Sequence, residues 1–183
     1  MNTDNNSKNL ISQKKIAGSY LLAILSFVAL VAIDQLSKYY ITESMKLHES
    51  IPIIKDVLEI HYIQNRGAAW GVFENQQILF YICAIIACIF GSVFYVKCTT
   101  MNCLKALRIC IVIILSGAIG NFIDRVRFQY VIDFIYFKLI DFPVFNIADC
   151  YVTIGFFITI VLVLFVYKEE QLEVLSFKKN KAE

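Results

Sequence analysis

The chain has 183 residues, 58% of them hydrophobic and 17% charged, with a formal net charge of +2. A soluble domain uses ~45–50% apolar and ~25% charged residues, so the composition excludes an ordinary soluble globule and indicates an integral membrane protein. The small net charge says little about partners, and no stripe of basic and aromatic residues points to nucleic acid.

Residues 1–16 read as a cytoplasmic tail, polar and Asn-rich over Met1 to Lys8. A bilayer crossing needs ~20 mostly apolar residues, and the first candidate runs from Ala17 to Ile33. No small-residue cleavage site follows it, so it reads as an uncleaved anchor rather than a signal peptide. Asp34-Gln35-Leu36-Ser37-Lys38 comes next, with Asp34 and Lys38 as an i, i+4 pair.

The connection from Ile41 to Gln77 is too apolar for a solvated loop. Leu58, Ile60 and Tyr62 alternate with Glu59, His61 and Ile63, which predicts a short strand lying at the membrane surface. In Asn65-Arg66-Gly67-Ala68-Ala69-Trp70-Gly71 small residues permit close backbone approach. Trp70 and Phe73 read as interfacial anchors. The whole connection serves equally as an amphipathic anchor or as a platform over a site.

Further spans are expected at Ile78 to Val96, Leu104 to Ile123 with one Arg inside, and Cys150 to Tyr167. In the third, Gly117, Asn121 and Arg125 fall at i, i+4 and i+8 and share a helix face, while Gly117 and Gly120 leave room for a neighbouring helix. Asp124 adjoins Arg125. Asp34, Lys38 and Asp124 read first as neutralised ions that orient helices.

Asp133 lies in Val131-Ile132-Asp133-Phe134-Ile135-Tyr136-Phe137, an aromatic and β-branched run whose lone acid packing explains poorly. Phe142-Pro143-Val144-Phe145-Asn146-Ile147-Ala148-Asp149 then delivers an Asn and an Asp to the mouth of the fourth span. Acids at membrane depth are costly and usually serve chemistry or transport. If the connection folds back, Asp133 and Asp149 converge, and two close carboxyls hold one proton between them near neutrality. That state suits peptide hydrolysis, with the ionised member taking a proton from water and the protonated member polarising the scissile carbonyl. Periodicity alone does not select this pair from among Asp34, Asp124, Asp133, Asp141 and Asp149.

Six cysteines form no metal-binding or redox pattern and read as packing residues. Cys150 adjoins Asp149, but a thiol nucleophile would want a His base, and the chain has only His48 and His61, both in the first connection. Lys8, Lys14, Lys15, Lys97, Lys105, Arg108, Lys168, Lys178, Lys179 and Lys181 lie at one side of the four spans. Lys46, Lys55, Arg66, Arg125, Arg127 and Lys138 lie at the other, in longer connections. The excess marks the cytoplasmic side, so both termini are expected inside and the polar clusters outside.

Five polar clusters in this order, from Asp34-Gln35-Leu36-Ser37-Lys38 to the Phe-Asn-x-Ala-Asp element ending at Asp149, resemble the lipoprotein signal peptidase (signal peptidase II) family over roughly Ala17 to Tyr167. The resemblance implies a bacterial inner-membrane aspartic endopeptidase that removes signal peptides from diacylglyceryl-modified prolipoproteins, cutting just before the lipidated Cys. It implies that Asp133 and Asp149 are the catalytic pair and that Asn65, Asn121, Arg125 and Asn146 line the site. Asp34, Lys38, Gly67 and Asp124 would support it. It also implies sensitivity to the cyclic peptide antibiotic globomycin. No metal or organic cofactor is needed, membrane lipid is a partner, and a monomer is expected.

Ser116 stands where the family often has a Gly, and Cys150 where a Ser is common, yet neither removes a catalytic group. The expected fold is a mainly α membrane protein of four transmembrane helices with a small β-containing outer-face platform between spans 1 and 2. One peptidase domain would span residues 17–167, and residues 168–183 would form a second cytoplasmic tail. The alternatives are a small membrane transporter or proton-relay component using the same carboxylates, and a non-enzymatic scaffold.

Overall fold

The computed structural model describes residues 2–67, 73 and 76–175, with side chains from Ile16 onward except at position 102. Its helices are α1 (Asn2–Ser44), α2 (Gln77–Thr99), α3 (Lys105–Phe128), α4 (Ile147–Val161) and a short α5 (Glu169–Leu172). Three strands, β1 (Ser50–Ile54), β2 (Leu58–Asn65) and β3 (Val131–Tyr136), form one antiparallel sheet in the order β1-β2-β3. Among the described residues four helical stretches are long and apolar enough to cross a membrane: Ile16–Ser44, Gln77–Thr99, Lys105–Phe128 and Ile147–Val166.

Each stretch is longer than the apolar run that announced it, and the first differs most. The first helix continues past Ile33 through Asp34, Gln35 and Lys38, because these polar residues face the bundle and are paired there. Asp34 and Lys38 are 0% and 1% exposed. The apolar residues around them turn outward instead, with Leu22, Leu36 and Tyr40 all more than half exposed, as lipid-facing side chains are.

Helix α3 is central and packs against α1, α2 and α4. The approach of α4 is close at two glycines. A Cβ on Gly117 would collide with the Ala148 carbonyl oxygen and come within 2.8 Å of Val152 Cγ2; one on Gly120 would collide with Asp34 Oδ2. Ser116, just before Gly117, is fully buried and returns its hydroxyl to the Val112 carbonyl (2.7 Å), so the departure from Gly is absorbed within α3 itself.

The platform expected between spans 1 and 2 is present, and its third strand comes from the connection between α3 and α4. β3 pairs with β2 in a register that places Asp133 opposite Ile63 and Val131 opposite Asn65. An irregularity between Ile60 and Ile63 interrupts the simple alternation of β2, so that Glu59 as well as Tyr62 is buried. Tyr62, Ile132 and Phe134 from the sheet pack with Ile41 and Met45. The end of α1 thus stands as a post under the sheet. Trp70, the expected interfacial anchor, lies outside the described residues, whereas Phe73 is 51% exposed.

At the opposite end, Tyr167, Leu172, Val174 and Leu175 fold back onto Cys98, Leu104 and Leu107, and Lys97 Nζ donates to the Leu175 carbonyl (3.1 Å). Residues 168–175 are therefore packed against the helix ends.

The glycine contacts yield a direct test. Gly117→Val forces a branched side chain into the α3–α4 seam, and overpacking of this kind costs about 1–3 kcal/mol or more. The detergent-solubilised variant should unfold well below the wild type in a thermal melt. Gly18→Ala, at a position with nothing within 4 Å, should melt as the wild type does.

Candidate active site

The site is assembled where the C-terminal ends of α1 and α3 and the N-terminal end of α4 meet β2 and β3. Its base is a buried ionic cluster. Lys38 Nζ lies 2.9 Å from Asp34 Oδ2 and 2.9 Å from Asp124 Oδ2, and all three side chains are essentially unexposed. Buried ions are tolerated when paired and when their remaining sites are bonded, and here those sites are filled. Asp34 Oδ1 accepts from the Ala148 backbone N–H in the first turn of α4 (3.0 Å), where a helix N-terminus favours negative charge. Asp124 Oδ2 accepts from the Ile132 N–H of β3 (3.2 Å). Gln35 Nε2 reaches Asp34 Oδ2, Asp124 Oδ1 and the Gly120 carbonyl at 2.9–3.2 Å.

Asp124 thus takes its cation from α1 rather than from its neighbour Arg125, since consecutive helical residues point apart. Arg125 turns toward the segment that follows β2 and toward α2. It donates to the carbonyls of Gly67 (3.2 Å) and Asn121 (3.4 Å) and lies 4.2 Å from the centre of the Phe80 ring. Its Nε is buried without a hydrogen-bond partner among the described residues.

Above this base sit the two carboxyls. Asn146 caps α4, accepting from the Asp149 N–H (3.0 Å) while Asp149 Oδ2 accepts from the Asn146 N–H (3.1 Å). This reciprocal cap fixes Asp149 one turn into the helix. The same Asn146 extends Nδ2 to Asp133 Oδ1 (2.6 Å) and to Asn121 Oδ1 (3.0 Å). Asp133 Oδ2 accepts from Asn65 Nδ2 (2.9 Å), and Asn65 Oδ1 in turn holds the Gly67 N–H (2.9 Å). Asn121 Nδ2 donates to Asp149 Oδ1 at 2.7 Å. One asparagine therefore joins both acids.

Asp133, Asp149, Asn65, Gly67, Asn121 and Arg125 line a cavity of about 480 Å³, closed on another side by Phe142 to Phe145 and by Cys150. Asp34, Lys38 and Asp124 lie behind it and do not line it. Asn146 is fully buried and acts from beneath. A second, apolar cleft of about 250 Å³ between α1, α2 and α3 has no carboxylate or cation in its walls. Asp141 stands apart, accepting from the Tyr136 hydroxyl (2.7 Å). His61 Nδ1 meets Ser50 Oγ (2.8 Å), and no hydrogen bond between a described histidine and Cys150 is formed.

Burial, and secondarily the charge of Asp149, push the Asp133 carboxyl up from 3.8 to about 7, although the hydrogen bonds from Asn65 and Asn146 oppose the rise. The Asp133 carboxyl can therefore hold a proton near neutral pH. Gln35 was not singled out by sequence reasoning. Its place between two carboxylates within Asp34-Gln35-Leu36-Ser37-Lys38 was the available signal.

The fold and the cavity define a multi-pass membrane protein with an acid pair at one end of its helix bundle. The family model described as signal peptidase (SPase) II matches residues 26–165. The lipoprotein signal peptidase of Streptococcus pyogenes serotype M5 (strain Manfredo) is 40% identical over 149 residues, which is 81% of this chain and 95% of that protein. Two solved structures are similar, both described as bacterial membrane enzyme structures obtained by the in meso method, at 2.3 and 1.9 Å resolution. They superpose with TM-scores of 0.69 and 0.67 at 36% identity, covering 88% and 80% of this chain and 94% of each of theirs. This chain belongs to the signal peptidase II family, a family of peptidases.

The raised Asp133 value has a consequence for stability. An unfolded Asp loses its proton near 3.8, the buried one near 7, so between those values the folded state binds more protons and stability falls as pH rises. Asp133→Asn lacks this term. In melts from pH 4 to pH 8 the variant should gain on the wild type up to about pH 7 and hold level above it.

Proposed function

We propose that this protein is a lipoprotein signal peptidase that cuts diacylglyceryl-modified prolipoproteins just before the lipidated Cys, using Asp133 and Asp149 as a water-activating pair. The observation that carries the reading is the joining of the two carboxyls through Asn146 at the wall of a cavity. Family membership supports the reaction class, and the spacing of the five clusters supports the residue roles. Asn65, Asn121, Arg125 and Asn146 line or orient the site, and Asp34, Lys38, Gly67 and Asp124 support it.

In this mechanism Asp133, whose carboxyl holds its proton to about pH 7, donates a hydrogen bond to the scissile carbonyl. Asp149 is the base: it removes a proton from the attacking water as the water oxygen bonds to the carbonyl carbon. Collapse of the tetrahedral species breaks the C–N bond, with the proton passing to the departing amide nitrogen. Arg125 Nε, buried and without a hydrogen-bond partner among the described residues, is available to a peptide carbonyl entering the cavity.

The excess of Lys and Arg at the other end of the spans supports an orientation with both termini cytoplasmic and the cavity at the outer face of the inner membrane. A site at that level matches a substrate whose signal helix lies in the bilayer and whose acyl chains remain in lipid. The platform from Ile51 to Phe73 closes over the peptide and excludes bulk water. Residues 17–167 act as one peptidase domain and function as a monomer. Globomycin-type cyclic peptides occupy the same cavity.

A proton-relay transporter would want acids strung through the membrane depth. Among the described residues Asp34, Asp124, Asp133 and Asp149 instead fall within one hydrogen-bonded cluster.

The purified protein in detergent should cleave a diacylglyceryl-modified prolipoprotein and leave its unmodified counterpart intact. Asp133→Asn and Asp149→Asn should each abolish cleavage while remaining folded; survival of activity in both would remove the pair from the mechanism. Because Asp133 must be protonated, kcat/KM of the wild type should decline as pH rises through about 7.

A further inference from the structure

Lys38 is 1% exposed and stands outside the cavity wall, yet all three of its ammonium hydrogens are used. Two go to Asp34 and Asp124, each at 2.9 Å. The third goes to a neutral group, Asn121 Oδ1, also at 2.9 Å. Balancing the two buried carboxylates does not require that third bond.

The amide that receives it is the one that faces Asp149. The two ends of an Asn amide are nearly alike in shape but opposite in hydrogen bonding. Which end meets a carboxylate is therefore decided by what holds the other end. Asn121 Oδ1 accepts from Lys38 Nζ and from Asn146 Nδ2, while Nδ2 donates to Asp149 Oδ1 at 2.7 Å. Turning the amide over would set donors against donors at Lys38 and Asn146, and would set oxygen against oxygen at Asp149, a contact that only a protonated carboxyl tolerates.

We propose that Lys38 is a positioning residue: by donating to Asn121 Oδ1 it locks the Asn121 amide with Nδ2 toward Asp149, so that an N–H donor rather than an oxygen faces the Asp149 carboxyl. The proposal rests on the reading of Asp133 and Asp149 as the acid pair. The charged and titratable groups around Asp149 are Lys38 and Asp34 from α1, Asp124 and Arg125 from α3, Asp133 from β3 and Cys150 beside it on α4. The Arg125 guanidinium donates to backbone carbonyls. Lys38 is the cation tied to Asp149 by a single intervening side chain, and it holds no contact with the cavity through which it could bind substrate.

Removing the ammonium also strands Asp34 and Asp124, which threatens folding. The change Lys38→Met is therefore measured in an Asp34→Asn background, with Asp34→Asn as the reference and thermal melts as the folding control. Relative to that reference, kcat should fall roughly tenfold to a hundredfold, as when an outer hydrogen-bond partner of a reactive group is lost. KM should stay unchanged, because no ground-state contact is removed. If Lys38 acts through Asn121, adding Asn121→Ala to both proteins should erase the difference between them.

A fall in kcat fully additive with Asn121→Ala would overturn the proposal and leave Lys38 a packing ion. An independent readout separates this from failure of the acid-pair reading. The Asn121 side-chain amide, assigned in 15N–1H spectra by its loss in Asn121→Ala, should lose its strongly bonded proton in the Lys38→Met protein whether or not Asp149 is catalytic. An unchanged amide signal would sink the locking role even if both aspartates prove essential.

Discussion

The ammonium of Lys38, buried between Asp34 and Asp124, is the contact on which the rest of the molecule depends. An unpaired charge in such a place would be costly, and a pair alone would leave lone pairs and hydrogens unmet. This cluster recruits partners from every element around it. Asp34 takes the N-terminal turn of α4 through Ala148, Asp124 takes the first part of β3 through Ile132, and Lys38 takes Asn121. The charge requirement therefore fixes α1, α3, α4 and the sheet relative to one another at the end where the cavity opens.

Such convergence needs backbones that can come close, and the small residues allow it. Gly120 leaves room for the Asp34 carboxyl, Gly117 for the Ala148 carbonyl, and Ala148 itself is fully buried. With little hydrophobic drive between helices in lipid, association of this kind relies on tight packing and interhelical hydrogen bonds. The acid pair inherits its geometry from that framework. Asp149 is held by a helix cap and Asp133 by a strand, and Asn146 spans the two, so that neither carboxyl depends on a loop for its position.

Much of this was legible in the chain. Long apolar runs announce spanning helices because the bilayer demands them, and the i, i+4, i+8 spacing of Gly117, Asn121 and Arg125 placed them on one face, where the structure has the first two meeting α4 and Arg125 reaching Gly67. The strand in the first connection was legible from alternation around Leu58 to Ile63, though the irregularity that buries Glu59 was not. β3 was visible only as an aromatic and β-branched run, because a strand that pairs with a partner some seventy residues earlier carries no local mark of that pairing.

What the sequence by itself determined is the membrane class, the helix faces and the set of polar residues available for chemistry, since these follow from local composition and helical period. The tertiary structure alone decided who pairs with whom. Asp124 ignores the adjacent Arg125 for Lys38, Asn146 reaches both Asp133 and Asn121, and Gln35 proves to bridge two acids. Such partnerships depend on distances between segments far apart in the chain, and the cost of leaving a buried polar group unpaired selects among them only once the helices and the sheet have come together.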